Sequence, residues 1–275
     1  MKAGIIGLGL MGGSLGLALK ESGLFESILG DDINEMHRRQ AIYLGLVDEC
    51  VRGDEIFDCD VIFISTPIGG IIKIIQSIKK LSKNQLVIDF GSSKKQILES
   101  IPSHLRANFV SLHPMCGTEN FGPKAALKDL YKNQIVIFID IEKSGQKQIK
   151  LAKKIFIKLG MNIIKMDSNA HDAHAALISH MPHIISYALA NSVLKEERAQ
   201  DIVAIAGGGF RSMSRLSKSS GNMWVEIIKH NKSQILSSIT SFKEELENAI
   251  TLIENNDFMN LEKWMDNANR LREIL

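Results

Sequence analysis

Residues 1–32 read MKAGIIGLGLMGGSLGLALKESGLFESILGDD and contain the pattern that decides the fold. Ala3-Gly4-Ile5-Ile6 is a short apolar run that predicts a strand, and it leads directly into Gly7-Leu8-Gly9-Leu10-Met11-Gly12, a GxGxxG turn. The spacing of the apolar residues that follow is typical of a helix: Leu15, Leu17, Ala18 and Leu19. The stretch therefore predicts a strand, a glycine-rich turn and a helix in succession.

A unit of this kind is suited to binding a dinucleotide. The first glycine permits the tight turn, the second lets the backbone approach a pyrophosphate, and the third allows the helix to pack closely on the strand. Free N–H groups at the helix start, with the positive end of the helix dipole, then bind the diphosphate. We therefore expect Gly7, Gly9, Leu10, Met11 and Gly12 to contact a dinucleotide, although the same turn can serve packing alone.

The end of the second predicted strand, Ser27-Ile28-Leu29-Gly30, carries the two acids Asp31 and Asp32. An acid about 20 residues after the glycine-rich turn accepts hydrogen bonds from the ribose hydroxyls, and it repels a 2′-phosphate. The sequence therefore predicts NAD, rather than NADP, as the cofactor. Asp32 is the stronger candidate, because one of two adjacent strand-end residues must face away from the ribose.

The composition is typical of an ordinary soluble protein with one large or two smaller domains: 275 residues, 45% hydrophobic, 23% charged, net charge +2. Lysine pairs are scattered rather than clustered, so we expect no nucleic-acid partner. No apolar run reaches the ~18 residues of a membrane span, and the first predicted strand leaves no room for a signal peptide. We therefore expect no membrane association. Cys50, Cys59 and Cys116 are odd in number and lack CxxC spacing, which argues against a disulfide framework and a structural zinc site and predicts a cytoplasmic location.

Apolar runs that predict strands continue to alternate with helical patterns up to Met166: 60–65, 86–90, 109–112, 134–139 and 162–166. This alternation predicts an α/β fold, an N-terminal Rossmann-type doubly wound parallel sheet over residues 1–166. The first of these runs closes with Thr66-Pro67. We expect both residues beside the cofactor, because ligands of open α/β sheets bind at the carboxyl ends of the strands.

From Asp167 onward no further strand is predicted, and apolar residues recur at helical spacing over 170–194, 232–254 and 258–271. Residues 167–275 are therefore expected to form an all-helical second domain. Its apolar stripes exceed what one short bundle can bury, which favours a homodimer formed through these helices. The alternative is a monomer that packs the stripes against its own sheet.

His113 is the candidate proton acceptor. It follows the apolar run 109–112, so it is expected at the carboxyl end of a strand, on the same edge as the dinucleotide turn. Ser92, at the end of the preceding strand, is expected to hydrogen-bond and orient the imidazole. A neutral imidazole there can accept the hydroxyl proton of an alcohol that loses a hydride to a nicotinamide. The alternative is a structural histidine.

The segment Ser179-His180-Met181-Pro182-His183 places two histidines three residues apart with a proline between them. Together with His171 and His174 they suggest a metal site, but no carboxylate or cysteine completes a set at zinc-like spacing, so no metal is expected. A proline inside a helix costs about 3 kcal/mol, and the kink that it implies favours His183 as a substrate contact.

Gly207-Gly208-Gly209-Phe210-Arg211 combines an exposed glycine backbone with a guanidinium group. The backbone near Gly208 can approach a ligand, and Arg211 and Arg215 can bind carboxylates. A flexible loop with solvated arginines is the alternative.

Together these motifs resemble the prephenate/arogenate dehydrogenase family of tyrosine biosynthesis. The resemblance covers nearly the whole chain, in this order and spacing: GLGLMGGS at 7–14, GDDIN at 30–34, DFGSSK at 89–94, HPMCGTE at 113–119, HDAHAALISHMPH at 171–183, GGGFRSMSR at 207–215 and MW at 223–224. It implies a Rossmann domain, a helical dimerisation domain and an active site in the cleft between them.

Carried over by motif, the resemblance implies that His113 binds and deprotonates the ring hydroxyl, that Ser92 is its hydrogen-bonding partner and that Arg215 binds a substrate carboxylate. It also implies that four further residues line or gate the pocket: Glu119, Asp172, His183 and Trp224. One departure is Ser212, which stands where some relatives have an acid.

The reaction implied by the resemblance is the oxidation of the C4 hydroxyl of prephenate by NAD, with loss of the ring carboxylate as carbon dioxide and formation of 4-hydroxyphenylpyruvate. Three alternatives stay open at this point. One is arogenate as the substrate, another is a β-hydroxyacid dehydrogenase or imine reductase of similar architecture, and the third is a dinucleotide-binding module without enzymatic activity.

Overall fold

The computed structural model describes residues 1–274, and its N-terminal part is built on one eight-stranded sheet. The strands are β1 (Lys2–Ile6), β2 (Ser27–Asp31), β3 (Glu49–Cys50), β4 (Val61–Ile64), β5 (Leu86–Asp89), β6 (Phe109–Pro114), β7 (Ile135–Ile139) and β8 (Asn162–Met166). They lie in the order β3-β2-β1-β4-β5-β6-β7-β8. Neighbouring strands are parallel except for β6 and β7, which are antiparallel.

Helices cover both faces of this sheet: α1 (Leu10–Ser22), α2 (Glu35–Tyr43), α3 (Ile68–Ser77), α4 (Lys95–Glu99) and α5 (Gln146–Lys158). Successive side chains of a strand point to opposite faces, and β4 shows both directions. Val61 and Phe63 belong to the apolar cluster that contains residues of α1 and α5. Ile62 and Ile64 belong to the cluster that contains residues of α3 and α4. The sheet is therefore buried on both sides, as expected for parallel strands.

The strand order reverses at β1, which lies between β2 and β4. Ligands of open α/β sheets bind outside the carboxyl ends of the strands at such a point. The turn after β1 and the turn after β4 meet here, since the Ser65 N–H donates to the Ile6 carbonyl at 2.8 Å. The glycine-rich turn and Thr66 therefore lie on the same edge of the sheet.

The chain after Met166 is helical throughout its described part. Its elements are α6 (Ser168–Ala175), a π-helical turn (Ala176–His180), α7 (Met181–Glu196), α8 (Ala199–Ile205), α9 (Gly208–Ser214), a 3-10 turn (Arg215–Lys218), α10 (Gly221–His230), α11 (Lys232–Glu254), α12 (Phe258–Asn269) and a 3-10 turn (Arg270–Glu273). No helix among residues 1–274 is both long enough and apolar enough to cross a membrane.

Helix α6, the π turn and α7 follow one another without a break, and Pro182 is the second residue of α7. A proline cannot donate its nitrogen to the preceding turn, and its ring crowds the carbonyl there. The wider π turn accommodates both effects without ending the helix. It also sets the direction in which His180 and His183 leave the helix.

The helical part packs on the sheet part through α10 and α3. Trp224 and Ile227 of α10 are buried in the same apolar cluster as Ile68 and Ile71 of α3. A second contact is polar, since the N–H and hydroxyl of Ser168 both donate to the Asp140 carboxylate. The two parts therefore meet across a packed boundary, and the candidate site lies along it.

The predicted fold class is confirmed: an N-terminal Rossmann-type doubly wound sheet is followed by an all-helical part. Two strands depart from the predicted parallel sheet, because β7 runs antiparallel to β6 and β8 runs parallel to β7. A parallel neighbour needs a long crossover connection, usually a helix, but only a 3-10 turn at Pro123–Ala125 interrupts the segment between β6 and β7. The chain therefore turns back, and β7 runs antiparallel to β6.

Candidate active site

The three glycines of the predicted dinucleotide turn have different surroundings. Gly7 has a φ of +95°, and a Cβ at this residue would lie 2.9 Å from the Ser65 carbonyl. A Cβ at Gly12 would lie only 1.9 Å from the Gly7 oxygen. A Cβ at Gly9 would meet nothing within 4 Å. Gly7 and Gly12 are therefore required by packing, whereas the backbone at Gly9 borders open space where a pyrophosphate can approach.

The start of α1 is also suited to an anion. Its N-cap residue, Gly9, offers no side chain to cap the helix, and the first turn contains no acid. The first N–H groups of a helix have no intrahelical acceptor, so those of Leu10, Met11 and Gly12 are available to a diphosphate. The Tyr131 hydroxyl donates to the Met11 carbonyl at 2.7 Å and holds this turn in place. These residues fit the predicted cofactor.

Asp32 connects the end of β2 to the glycine-rich turn. Its Oδ2 accepts a hydrogen bond from the Leu8 N–H at 2.8 Å, and its Oδ1 accepts one from the Asn34 N–H at the same distance. Asp31 instead lies 3.8 Å from the Arg38 guanidinium. The carboxylate that reaches the turn is therefore that of Asp32, in agreement with its predicted position beside the ribose. Contact with a ribose remains a prediction.

Thr66 lies against the same turn, since a Cβ at Gly7 would stand 3.0 Å from Cγ2 of Thr66. Pro67 is the N-cap residue of α3. Both predicted cofactor residues are thus on the correct edge of the sheet.

His113 lies in β6, on the edge of the sheet next to the helical part. Its Nδ1 is 2.8 Å from Nε2 of His171 on α6. Nδ1 of His171 is in turn 2.8 Å from Oδ1 of Asp172. The predicted base is therefore the first member of a hydrogen-bonded chain that crosses the boundary between the two parts.

The pKa of His113 lies well below the usual value for histidine. Burial is the main cause, and the positive charges that His171, Lys94 and His180 can carry contribute further. Near neutral pH the imidazole is consequently uncharged. This is the form that a general base requires.

The structure does not pair Ser92 with His113, and the role of Ser92 stays a prediction. Among residues 1–274, the Ser92 side chain forms no hydrogen bond, and the partner of the His113 imidazole is His171. The prediction relied on the fact that β5 and β6 end side by side. It missed a residue that α6 brings in from the other side of the cleft.

Asp172, which is expected to line or gate the pocket, contacts protein groups in this structure, and its role toward the substrate stays a prediction. Asp172 is only 4% exposed, and its Oδ1 accepts from His171 and from the Lys94 N–H at 2.8 Å. Its Oδ2 accepts from the Lys95 N–H at 3.0 Å. Burial favours a higher pKa for this carboxyl, but these hydrogen bonds outweigh it and keep the pKa below its usual value. Asp172 is therefore an ionised partner of His171.

A buried ion pair, which the sequence did not predict, holds the strand end next to His113. Lys94 and Asp89 are fully buried, and Nζ of Lys94 lies 2.6 Å from Oδ2 of Asp89. Nζ also donates to the carbonyl of Leu112, the residue before His113. The Ser111 hydroxyl donates to the other oxygen of Asp89 at 2.7 Å. This network ties the end of β5 to the end of β6.

Arg215 and Glu119 form an ion pair between the helical part and the loop after β6. Nη1 of Arg215 lies 3.0 Å from Oε2 of Glu119, and the Arg215 side chain is 54% exposed. Hydrogen bonds from its own backbone N–H and from Arg215 lower the pKa of Glu119. The structure thus brings these two predicted substrate residues together, with a guanidinium that water or a ligand can still reach.

His183 stacks on Trp224, with ring centroids 3.7 Å apart and an angle of 27° between the rings. Nδ1 of His183 donates to the Ser179 carbonyl at 2.9 Å, which leaves Nε2 as the unprotonated nitrogen of the neutral ring. His180 packs edge-on against the same indole at 5.9 Å. Nε1 of Trp224 and Nε2 of His180 are buried without a hydrogen-bond partner among residues 1–274, and such atoms are typical of places where a ligand or water binds.

Gly208 lies at the exposed start of α9, and a Cβ there would meet nothing within 4 Å. Nε of Arg211 donates to the Ala206 carbonyl at 3.0 Å, so this side chain folds back on its own segment. The structure does not bring Gly208 against the other site residues, and its contact with a substrate stays a prediction.

Among residues 1–274, no group of three or more His, Cys, Asp and Glu side chains is arranged to hold a metal ion.

The class of protein follows from what meets at the boundary between the two parts. An open glycine turn with an acid beside it selects a nicotinamide dinucleotide without a 2′-phosphate. A neutral histidine on a nearby strand supplies the proton acceptor that alcohol oxidation needs. A protein built in this way is an NAD-dependent dehydrogenase.

Comparison with known proteins identifies the family. Residues 15–165 match the family model of the prephenate dehydrogenase nucleotide-binding domain, and residues 167–267 match that of the prephenate dehydrogenase dimerization domain. The chain belongs to the prephenate dehydrogenase family.

Individual relatives agree. The chain is 29% identical to the prephenate dehydrogenase of Bacillus subtilis over 280 residues, which cover 98% of this chain and 75% of that protein. A solved structure of Aquifex aeolicus prephenate dehydrogenase, in complex with hydroxyphenyl propionate and NAD+, is 29% identical with a TM-score of 0.91 and covers 99% of this chain and 97% of that one. Synechocystis arogenate dehydrogenase is 28% identical with a TM-score of 0.76, and 99% of each chain is covered.

Proposed function

We propose that the protein oxidises prephenate with NAD to give 4-hydroxyphenylpyruvate and carbon dioxide. The observation that carries the proposal is the position of His113. It is a mostly buried, neutral histidine on the strand edge that faces the helical part, in a chain whose dinucleotide turn opens on the same side. Membership of the prephenate dehydrogenase family supports the choice of substrate.

The chemistry is an alcohol oxidation coupled to loss of a carboxylate. His113 accepts the proton of the C4 hydroxyl as the C4–H bond breaks. NAD, when bound, accepts the hydride from C4. The bond between the ring and its carboxylate then breaks, and its electron pair enters the ring, which becomes aromatic as carbon dioxide leaves. His113 returns its proton to the phenolate oxygen, so no net proton is released.

The ring must be held with C4 near His113, and the proposed contacts lie on the helical side. Arg215 is proposed to bind a substrate carboxylate through the exposed guanidinium N–H groups that Glu119 does not occupy. The stacked rings of His183 and Trp224 offer a flat apolar wall for the cyclohexadiene ring, and their polar atoms offer hydrogen bonds. We keep Gly208 as a proposed backbone contact.

Arogenate is the second candidate substrate, because a structural relative is an arogenate dehydrogenase. Arogenate carries an ammonium group where prephenate has a keto group, so its site needs an unpaired acid. Both acids predicted at this site already have partners, Glu119 with Arg215 and Asp172 with His171. Ser212 stands where some relatives have an acid, which removes another possible partner of an ammonium group. The charge balance therefore favours prephenate.

We also propose that the chain divides near Asp167 and that two copies associate through the helical domain. The match of residues 167–267 to a dimerization domain supports this. So does one face of α11, where apolar side chains at spacings of three and four residues are exposed: Phe242, Leu246, Ile250 and Ile253. Contiguous exposed apolar side chains of this kind mark association surfaces.

The test is NADH formation measured side by side with prephenate, arogenate and a simple β-hydroxyacid, at saturating NAD and then at matched NADP. The proposal predicts the highest kcat/KM with prephenate and one carbon dioxide released per NADH. A higher kcat/KM with arogenate would show that arogenate, and not prephenate, is the substrate. Oxidation of the hydroxyacid without release of carbon dioxide would show that the reaction is not an oxidative decarboxylation.

A further inference from the structure

The chain of hydrogen bonds behind His113 has a fixed direction. His171 is 1% exposed and Asp172 is 4% exposed, so water does not compete for these bonds. The Asp172 carboxylate also accepts the backbone N–H groups of Lys94 and Lys95. An ionised carboxylate can only accept, and therefore the proton between His171 and Asp172 belongs to Nδ1 of His171.

The next bond follows from this one. A neutral imidazole with its proton on Nδ1 has a lone pair on Nε2. Nε2 of His171 faces Nδ1 of His113 at 2.8 Å, so with His171 neutral the donor of this bond is Nδ1 of His113. The neutral His113 ring then carries its lone pair on Nε2. If the chain ran in the opposite direction, Nε2 of His113 would carry a proton and the residue would not be a base.

We propose that His171, held by Asp172, is a positioning residue that fixes His113 in the tautomer with Nε2 unprotonated and makes that atom the acceptor of the substrate hydroxyl proton. The proposal rests on the function proposed above. It assigns a role to a residue pair that is distinct from binding of substrate or cofactor.

The same pair affects the charged state of the base. When His113 takes the proton, its Nδ1–H bond to His171 becomes charge-assisted and strengthens. The Asp172 carboxylate lies behind His171 and is the negative group that balances the new charge. Three groups that can carry a positive charge face His113 and oppose its protonation: His171, Lys94 from the segment between β5 and α4, and His180 from the π turn. With His171 neutral, the Asp172–His171 pair is instead the favourable partner of the imidazolium on this side.

Two features keep the pair rigid. Nδ2 of Asn231 donates to the Asp172 carbonyl at 2.8 Å, and the Asp167 carboxylate caps the start of α6 by accepting the N–H groups of Asn169 and Ala170. The first turns of α6 are therefore fastened at both ends. This precision is what a residue needs in order to orient another one.

A spectroscopic experiment on the wild-type protein tests the tautomer without reference to activity. In protein labelled with ¹⁵N-histidine, the His113 resonances are assigned by their disappearance in His113→Asn. The proposal predicts that Nδ1 of His113 shows the shift of a protonated nitrogen and Nε2 that of an unprotonated one at neutral pH. The reverse assignment would overturn it.

Kinetics test the consequence. His171→Phe keeps a ring of similar shape but removes both nitrogens, whereas His171→Gln keeps an amide oxygen that can accept from His113 and an amide nitrogen that can donate to Asp172. We expect His171→Phe to lower kcat by roughly 10²-fold, at the lower end of what a positioned general base contributes, with KM for prephenate almost unchanged. His171→Gln should retain more of kcat. The control is His174→Phe, an exposed histidine on the same helix, which should behave like wild type.

Failure of the proposal and failure of the proposed function are separable. A wild-type protein that does not oxidise prephenate would refute the function, while its ¹⁵N spectrum would still decide the tautomer. An active wild type with a His171→Phe variant that binds NAD normally and keeps kcat within a few fold would refute the positioning role. If His171→Phe does not fold, the spectrum of the wild type and the kinetics of His171→Gln test the positioning role. A His171→Gln variant with unchanged kcat, in which His113 shows the opposite tautomer, would refute that role.

Discussion

Replacement of Arg215 by glutamine should weaken prephenate binding with little effect on the chemical step. A hydrogen bond to a charged group contributes about 1.5–3 kcal/mol, which corresponds to about 10- to 150-fold in a dissociation constant. The Arg215 side chain is 54% exposed, so water screens its charge and the lower part of that range applies. We expect KM for prephenate to rise by about 10- to 30-fold while kcat stays within about twofold, because the same contact is made in the ground state and in the transition state.

Initial rates of NADH formation over a range of prephenate concentrations measure both constants. Arg211→Gln is the matched control. Among residues 1–274 this exposed arginine hydrogen-bonds only to the Ala206 carbonyl, so the KM of the variant for prephenate should stay near that of wild type. Glu119→Gln removes the negative charge that competes with the substrate carboxylate for Arg215, so KM for prephenate should not rise. The double variant Glu119→Gln/Arg215→Gln should have the same KM as Arg215→Gln alone. An unchanged KM in Arg215→Gln, or a loss confined to kcat, would show that Arg215 does not bind the substrate.

Three further variants probe the cofactor turn and the buried ion pair. Asp32→Ala should raise KM for NAD by about tenfold or more and discriminate less against NADP, whereas Asp31→Asn should not; a wild-type preference for NADP would refute this assignment. Gly9→Ala should weaken NAD binding with an unchanged melting temperature, while Gly12→Ala should destabilise the fold by about 1–3 kcal/mol, because its Cβ would lie 1.9 Å from the Gly7 oxygen. Lys94→Met leaves Asp89 buried without its partner and should lower the free energy of unfolding by about 3–5 kcal/mol in urea titrations, against little change for the exposed Lys95→Met; equal stabilities of the two variants would contradict the role of the pair.

Local patterns were enough to predict the dinucleotide turn and the elements around it. The roles of Gly7, Gly9 and Gly12 depend on residues within one strand-turn-helix unit, and the position of His113 follows from the strand that precedes it. The bounds of helix α11 and of strand β8 could also be predicted, because periodic apolar spacing and β-rich runs indicate which residues are buried. The family resemblance adds the reaction, because identical motifs in the same order imply the same arrangement in space.

The partners of His113 were not predictable in this way. Ser92 is close in the order of strands, but His171 comes from α6, far along the chain, and only tertiary packing brings it to 2.8 Å. Asp172 carried a visible signal, an acid beside a histidine near the start of a helix, yet nothing local distinguishes a carboxylate that faces substrate from one that faces backbone N–H groups. The antiparallel direction of β7 could not be predicted either, because the direction of a strand depends on its connection and not on its own composition.

The role of His113 as the base is tested most directly by kcat for NADH formation from prephenate, measured for wild type and His113→Asn at saturating NAD and prephenate. NAD binding is determined separately. Asparagine keeps a polar side chain of similar size but cannot act as a base. We expect unchanged NAD affinity and a decrease in kcat of roughly 10²–10⁴-fold in His113→Asn. A decrease of only a few fold would show that His113 is a structural residue and that the proton is taken elsewhere.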